Sequence, residues 1–330
     1  MTMTTEHRVQ AVVASGFSAR HAPFLVDVLL HAGVCVPRQY CARVGVRRGK
    51  DQHTFFARLE ARGVATRYTT HRRGVIYHVH HKALYRAIGE PESRFRKPVA
   101  LARAIERLIV LDGVLAAPDL HWLATAAEKT AYFTQTTGLA ADALPRLRFG
   151  TGAAAAVRAF PDRLPIGVAG DGWTHCLLYG ITQEAPLEFR AFLHRHHALL
   201  RALPAWEIRL LVPPHLATSA ARYEATAREE LQRPLRLDAI WELHTYFVER
   251  QRVEQGQAPV DPVAFARARD QFRAPRFFAL YRSWQAQGDA VLDAQASSVL
   301  ADIVERGRGR VTSHVMPHKY LHLASLVGTA

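Results

Sequence analysis

Gly49-Lys-Asp-Gln-His-Thr-Phe-Phe-Ala-Arg-Leu-Glu-Ala-Arg-Gly63 is the stretch from which the rest of the chain is read. Phe55, Phe56 and Leu59 recur at helical spacing, Asp51 stands where an N-cap belongs, and Gly63 supplies the stop. The predicted helix offers Gln52, His53 and Thr54 at its start. Arg47, Arg48 and Lys50 flank it on one side, Arg58 and Arg62 on the other. Short polar side chains at the start of a helix suit base edges, and cationic groups suit phosphates.

Upstream, Phe24, Leu25, Val28 and Leu29 form an apolar stripe behind Pro23, which fits the first turn of a helix over 22–30. Val36-Pro37 opens a second helix over 38–44, and Gly45 begins the turn into the third. Downstream, 64–70 and 75–81 are β-prone runs around the basic tip His71-Arg-Arg-Gly74. Three helices in about forty residues followed by a basic hairpin predict a winged helix-turn-helix. Gln52, His53 and Thr54 are then the candidates for base contact. Arg38, Arg47, Arg48, Lys50 and Arg58 are the candidates for phosphate contact, and Arg72 and Arg73 reach the duplex from the wing.

Charge distribution points the same way. The 330 residues carry a formal net charge of +14, and residues 1–98 hold 17 Lys and Arg against 6 Asp and Glu, whereas the remainder holds 26 against 23. A basic excess confined to one third of a chain marks that third as the one that meets a polyanion. Apolar residues make up 49% of the sequence, enough for packed cores in more than one domain. Cys35, Cys41 and Cys176 show no C-x-x-C spacing, and no run approaches eighteen apolar residues, so a reduced, cytoplasmic, nucleoid-associated protein outside the membrane is expected.

The predicted organisation is α/β, α+β overall. A flexible arm covers 1–20, the DNA-binding unit 21–90, and a linker with coupling helices 91–135; Asp119 is the expected cap of one of these helices. An α/β domain follows over 136–235 and a mostly helical extension over 236–330. Strands over 164–169 and 174–182, a helix over 186–203, a strand over 207–212 and a helix over 217–231 make the α/β domain a small mixed sheet.

This order of parts resembles the replication-relaxation type of family found on plasmids and integrative elements. Its members join a winged helix to a domain related to restriction-endonuclease-like PD-(D/E)xK folds. The residues that carry the resemblance are the helix-turn-helix and wing, Leu123-Ala-Thr-Ala-Ala-Glu-Lys129, Phe160-Pro-Asp162 before a strand, and the strand-helix-strand from Thr174 to Val212. The resemblance implies a double-stranded DNA partner and a role as transcriptional regulator or replication or mobilisation accessory factor, acting as a homodimer. It also implies an alternative, a metal-dependent endonuclease or nickase using Mg²⁺ held by Glu128 and Asp162 with Glu184 or Glu188. Against that alternative, His175-Cys-Leu-Leu-Tyr-Gly-Ile-Thr182 carries Tyr179 and Ile181 where the family's acid pair stands, so a degenerate site without cofactor is expected.

The remaining histidines have plainer readings. His78 and His80 share a strand face without a carboxylate or cysteine to complete a zinc set, and His194-Arg-His-His197 reads as a solvated helix face. His314, His318 and His322 step by four, but Pro317 interrupts the helix that would align them. Neither a P-loop nor a Gly-x-Gly-x-x-Gly motif occurs.

Overall fold

A computed structural model describes residues 3–69, 74–150, 156–318 and 320, and the architecture is mixed α and β. The N-terminal unit runs α1 (Thr5–Ala14), α2 (Ala22–His31), β1 (Val34–Cys35), α3 (Pro37–Val44), α4 (Lys50–Ala61), β2 (Ala65–Thr69), β3 (Val75–Val79) and α5 (Lys82–Ala87). Its three strands form an antiparallel sheet in the order β1-β3-β2. The short strand β1, which the sequence pattern did not predict, pairs Val34 with His78 and Cys35 with Tyr77.

The described residues of the expected arm over 1–20 are not simply an arm. Thr4 caps α1 through its side chain, Val12 is fully buried, and Arg8 donates from Nε to the Ile88 carbonyl at 3.1 Å and pairs with Glu128. An apolar residue and a buried cation on one helical face give α1 a reason to dock, which its polar composition conceals.

The chain continues through α6 (Leu101–Leu115), β4 (His121–Leu123), α7 (Ala126–Ala131), β5 (Arg146–Phe149), β6 (Ala156–Ala159), β7 (Ile166–Val168), β8 (Thr174–Gly180), α8 (Leu187–Ala202), β9 (Ala205–Val212) and α9 (Ala220–Gln232). The last part comprises α10 (Leu237–Glu254), α11 (Pro262–Gln271), α12 (Pro275–Gln287), α13 (Ala290–Gln295), α14 (Val299–Glu305) and β10 (Gly309–Val315). The second sheet has the order β10-β9-β8-β7-β4. β8, β9 and β10 are parallel, and β7 is antiparallel to both β8 and β4.

Two boundaries therefore move. Asp119 does not cap a helix but precedes an edge strand, and the C-terminal extension returns a strand, β10, to the sheet, paired with β9 along its whole length. The alternation Arg-Val-Thr-Ser-His-Val in β10 carries few large apolar residues, so an edge strand there left a weak signal.

Both faces of the sheet are covered, as period-two strands require. Cys176, Leu178 and Leu211 pack on one face with Leu108, Leu111 and Val114 of α6, in a core continuous with the N-terminal unit. Leu177, Ile208, Leu210 and Val212 pack on the other, against Phe189 and Phe192 of α8, Tyr223 of α9 and Leu300 of α14. Gly113 lets α6 lie close, since a Cβ there would stand 2.6 Å from Leu211 Cδ1. Helices α10 to α13 have their own core around Phe247, Phe272, Leu280 and Tyr281. Thus α6 is no tether: it is the layer shared by the N-terminal unit and the sheet.

Candidate nucleic-acid interface

Helix α4 owes its orientation to an aromatic cluster. Phe55 stacks on Tyr40 of α3 with centroids 4.3 Å apart, Phe56 stacks on Tyr77 of β3 at 4.1 Å, and Phe24 meets Phe55 edge-on. Helix α3 ends at Gly45, whose φ of 72° is a left-handed conformation that glycine adopts without a Cβ clash. Helix α4 starts at Lys50, so Asp51 falls in its first turn and Gly49 takes the cap. An acid there still favours the positive end of the helix dipole.

With Phe55, Phe56 and Leu59 fixed inward, His53, Thr54 and Arg58 are exposed, and so are Arg47, Arg48 and Lys50 at the preceding turn. Arg47, Arg48 and Lys50 form no ion pair among the described residues. Arg58 is exposed but tethered, donating to the Gly16 carbonyl at 2.9 Å; beside it Arg62 donates to Ser15 and lies over the Phe17 ring. The structure also brings out Arg67 and Tyr68 on β2, the latter 49% exposed, neither of which the sequence pattern singled out. The strand Ala-Thr-Arg-Tyr-Thr does not alternate apolar with polar, and every residue after Ala65 is exposed, so its sequence gave no such signal. Arg72 and Arg73 lie outside the described residues.

Two expected contact residues face inward. Gln52 is only 6% exposed and sits on the packed side of α4, because it precedes Phe55, Phe56 and Leu59 by three, four and seven residues and so shares their helical face. Arg38 points at α6: Nη1 and Nη2 donate to the two Asp112 carboxylate oxygens at 2.7 and 2.5 Å, and Nη2 also donates to the Tyr320 hydroxyl at 3.0 Å. Gln39 donates to the same carboxylate at 2.8 Å, and Tyr320 donates its hydroxyl proton to it. Asp112 is the one acid within the apolar run Leu108–Leu115, and a buried carboxylate requires such partners. Replacing it strands several buried donors. Asp112→Ala is expected to lower unfolding free energy in urea by about 3–5 kcal/mol, and a loss under about 1 kcal/mol would contradict this reading of the network.

The acids of the nuclease alternative do not gather. Glu128 is spent on its own helix, accepting from the backbone N–H groups of Ala124 and Thr125 at 2.8 Å while paired with Arg8. Asp162 accepts from Arg195 of α8 at 2.6 Å, and Glu188 is exposed beside Arg282; Glu184 is exposed on the preceding loop. Among the described residues no group of three His, Cys, Asp or Glu side chains is arranged to hold a metal ion. Lys129, beside Asp162, is 1% exposed, donates to the Leu164 carbonyl at 2.8 Å, and has its pKa pushed down to about 8 by burial.

The histidines are otherwise occupied. His78 Nε2 lies 2.9 Å from the Phe95 carbonyl, and His80 Nε2 the same distance from Thr66 Oγ1. His196 is buried with Phe189 and Phe192, as its helical spacing predicts; His194 and His197 are buried too, contrary to a solvated face, because both sides of α8 are covered: the sheet lies on one and α12 on the other. His314 belongs to a strand, and His322 lies outside the described residues.

No family model matches the chain, and no curated protein or solved structure matches it. Among the described residues no helix is long and apolar enough to cross a membrane.

Proposed function

We propose that this chain is a sequence-specific double-stranded DNA-binding protein whose N-terminal unit acts as a winged helix-turn-helix. The order α-β-α-α-β-β with an antiparallel β1-β3-β2 sheet supports that reading. The observation that carries it is α4 itself, locked by aromatic packing on one side and offering His53 and Thr54 on the other, with Arg47, Arg48 and Lys50, unpaired among the described residues, at and just before its start. Helix α4 enters the major groove with His53 and Thr54 at base edges. Arg47, Arg48 and Lys50 hold phosphates.

The β4-β7-β8-α8-β9 order is consistent with a restriction-endonuclease-like scaffold of the kind joined to winged helices in the replication-relaxation type of family. With Glu128, Asp162 and Glu188 engaged in ion pairs or a cap and Glu184 exposed apart from them, the scaffold serves to dimerise or to control DNA binding. The protein thus acts in the cytoplasm as a regulator or replication accessory factor of a mobile element, two copies reading a two-fold-related site.

Anisotropy of a labelled duplex across a salt series tests the proposal. Binding that weakens with salt, with a log-log slope of about −3 or steeper, is expected if Arg47, Arg48 and Lys50 meet phosphates. Binding that is absent at low salt, or indifferent to salt, would refute it.

A further inference from the structure

A second cationic surface lies away from α4, in a cleft of about 1290 Å³ bounded by the segment after α5, helices α6 and α7, the β5–β6 hairpin and the loop 160–164. Its size exceeds that of most small-molecule sites and accommodates a nucleotide with room to spare. Arg94, Arg107, Arg158 and Arg163 line it, and among the described residues none of the four pairs with a carboxylate. Two of the acids on its walls are already engaged: Glu106 accepts from Arg103 at 2.5 Å, and Asp162 accepts from Arg195. Glu90 and Glu92 also line it, and burial pushes the Glu90 carboxyl up, towards its neutral form.

Arginines gathered with no carboxylate in ion-pair contact repel one another, and the arrangement favours an anion. Burial and the guanidinium groups of Arg94 and Arg158 lower the Arg163 pKa, and Arg163 in turn helps burial to lower that of Arg107. Arg107 carries a buried Nη1 with no hydrogen-bond partner, its guanidinium resting 4.9 Å from the centroid of the Phe95 ring. An orphaned buried donor costs stability unless a ligand satisfies it. The backbone is strained at the same place: Phe160 and Arg163, neither of them glycine, take φ of 48° and 55° on either side of Pro161-Asp162. Finally, Phe149 is 41% exposed at the cleft edge with the Arg158 guanidinium 5.2 Å from its centroid, a surface on which a base can stack.

We propose that this cleft binds a nucleotide, free or as part of a single strand, with its phosphate held by Arg107, Arg158 and Arg163 and its base against Phe149. Because Leu29, Leu30 and His31 of α2 form part of the wall, an occupied cleft bridges the N-terminal unit and the segment from α7 to the loop 160–164. The site does not depend on duplex binding by α4, and the two readings fail separately.

The test uses the full chain with two fluorescent probes, a labelled deoxynucleoside triphosphate and a short single-stranded oligonucleotide, each competed with pyrophosphate. Saturable binding of at least one probe, displaced by pyrophosphate, is expected; which probe binds identifies the free nucleotide or the strand as the source. Arg158→Ala/Arg163→Ala, both at exposed positions, is expected to weaken it about tenfold or more. Arg47→Ala/Arg48→Ala is expected to leave it unchanged. Failure of both probes to bind at low ionic strength, or equal binding by the Arg158/Arg163 variant and the parent, would overturn the proposal.

Discussion

Acidification from about pH 7 to about pH 4 is expected to unfold the chain, with an uptake of about three protons. The groups responsible are His31, His196 and His197, at 6%, 4% and 6% exposure. Burial pushes the first down to about 3 and the other two to about 4, each from an ordinary value of 6.5. His31 ends α2 and feels Lys129 and Arg8; His196 packs on Phe192 with centroids 4.0 Å apart; His197 feels Arg201 and His194. In the unfolded chain all three bind protons near pH 6.5, while in the folded chain they stay neutral until about pH 4 or below. Stability is therefore fully present above about pH 6.5 and is lost as the pH falls towards the folded values.

Each histidine withdraws on the order of 3 kcal/mol by pH 4, and together they rival the whole stability of an ordinary domain. Lower still, Glu207, which Arg209, Thr312 and Arg310 hold at about 2 against the opposing effect of burial, adds a further loss as it protonates. Urea unfolding at a series of pH values reads the slope directly. Free energy that stays level between about pH 6.5 and about pH 5 would contradict this account of the three histidines.

The second large effect concerns DNA. Arg47→Ala/Arg48→Ala/Lys50→Ala is expected to lower duplex affinity about a hundredfold at physiological salt and to flatten the log-log salt slope by about 3, one unit for each phosphate that is no longer neutralised. All three side chains are exposed and unpaired among the described residues, so the fold should be unaffected, which a matching urea midpoint would verify. Affinity and slope equal to the parent's would move the DNA-binding surface away from α4.

The sequence was most readable where one residue type had one physical task. Pro23 and Pro37 opened α2 and α3, Gly45 and Gly63 closed α3 and α4, and Phe55, Phe56 and Leu59 set the buried face of α4. It was least readable where a residue's role depended on a distant partner. Arg38 looks like a phosphate ligand until Asp112, 74 residues on, claims it. Gln52 is a different case: it shares the helical face of Phe55, Phe56 and Leu59, and that spacing already marks it as inward. His194 of α8 appears polar and is buried, because α12 arrives from almost ninety residues later, its Ser283 Oγ standing 2.9 Å from His194 Nδ1. The arginine cleft was invisible for the same reason: Arg94, Arg107, Arg158 and Arg163 come from separate segments that only the fold assembles.

Selection from a pool of random-sequence duplexes, carried out in parallel with the parent and with His53→Ala/Thr54→Ala, tests the central claim most directly. The parent is expected to enrich one short recurring sequence. The variant should still bind DNA through its cations while its preference relaxes at the positions His53 and Thr54 read. A parent that enriches no sequence over the starting pool, or a variant that enriches the same sequence as strongly, would contradict the assignment of α4 as the element that reads DNA.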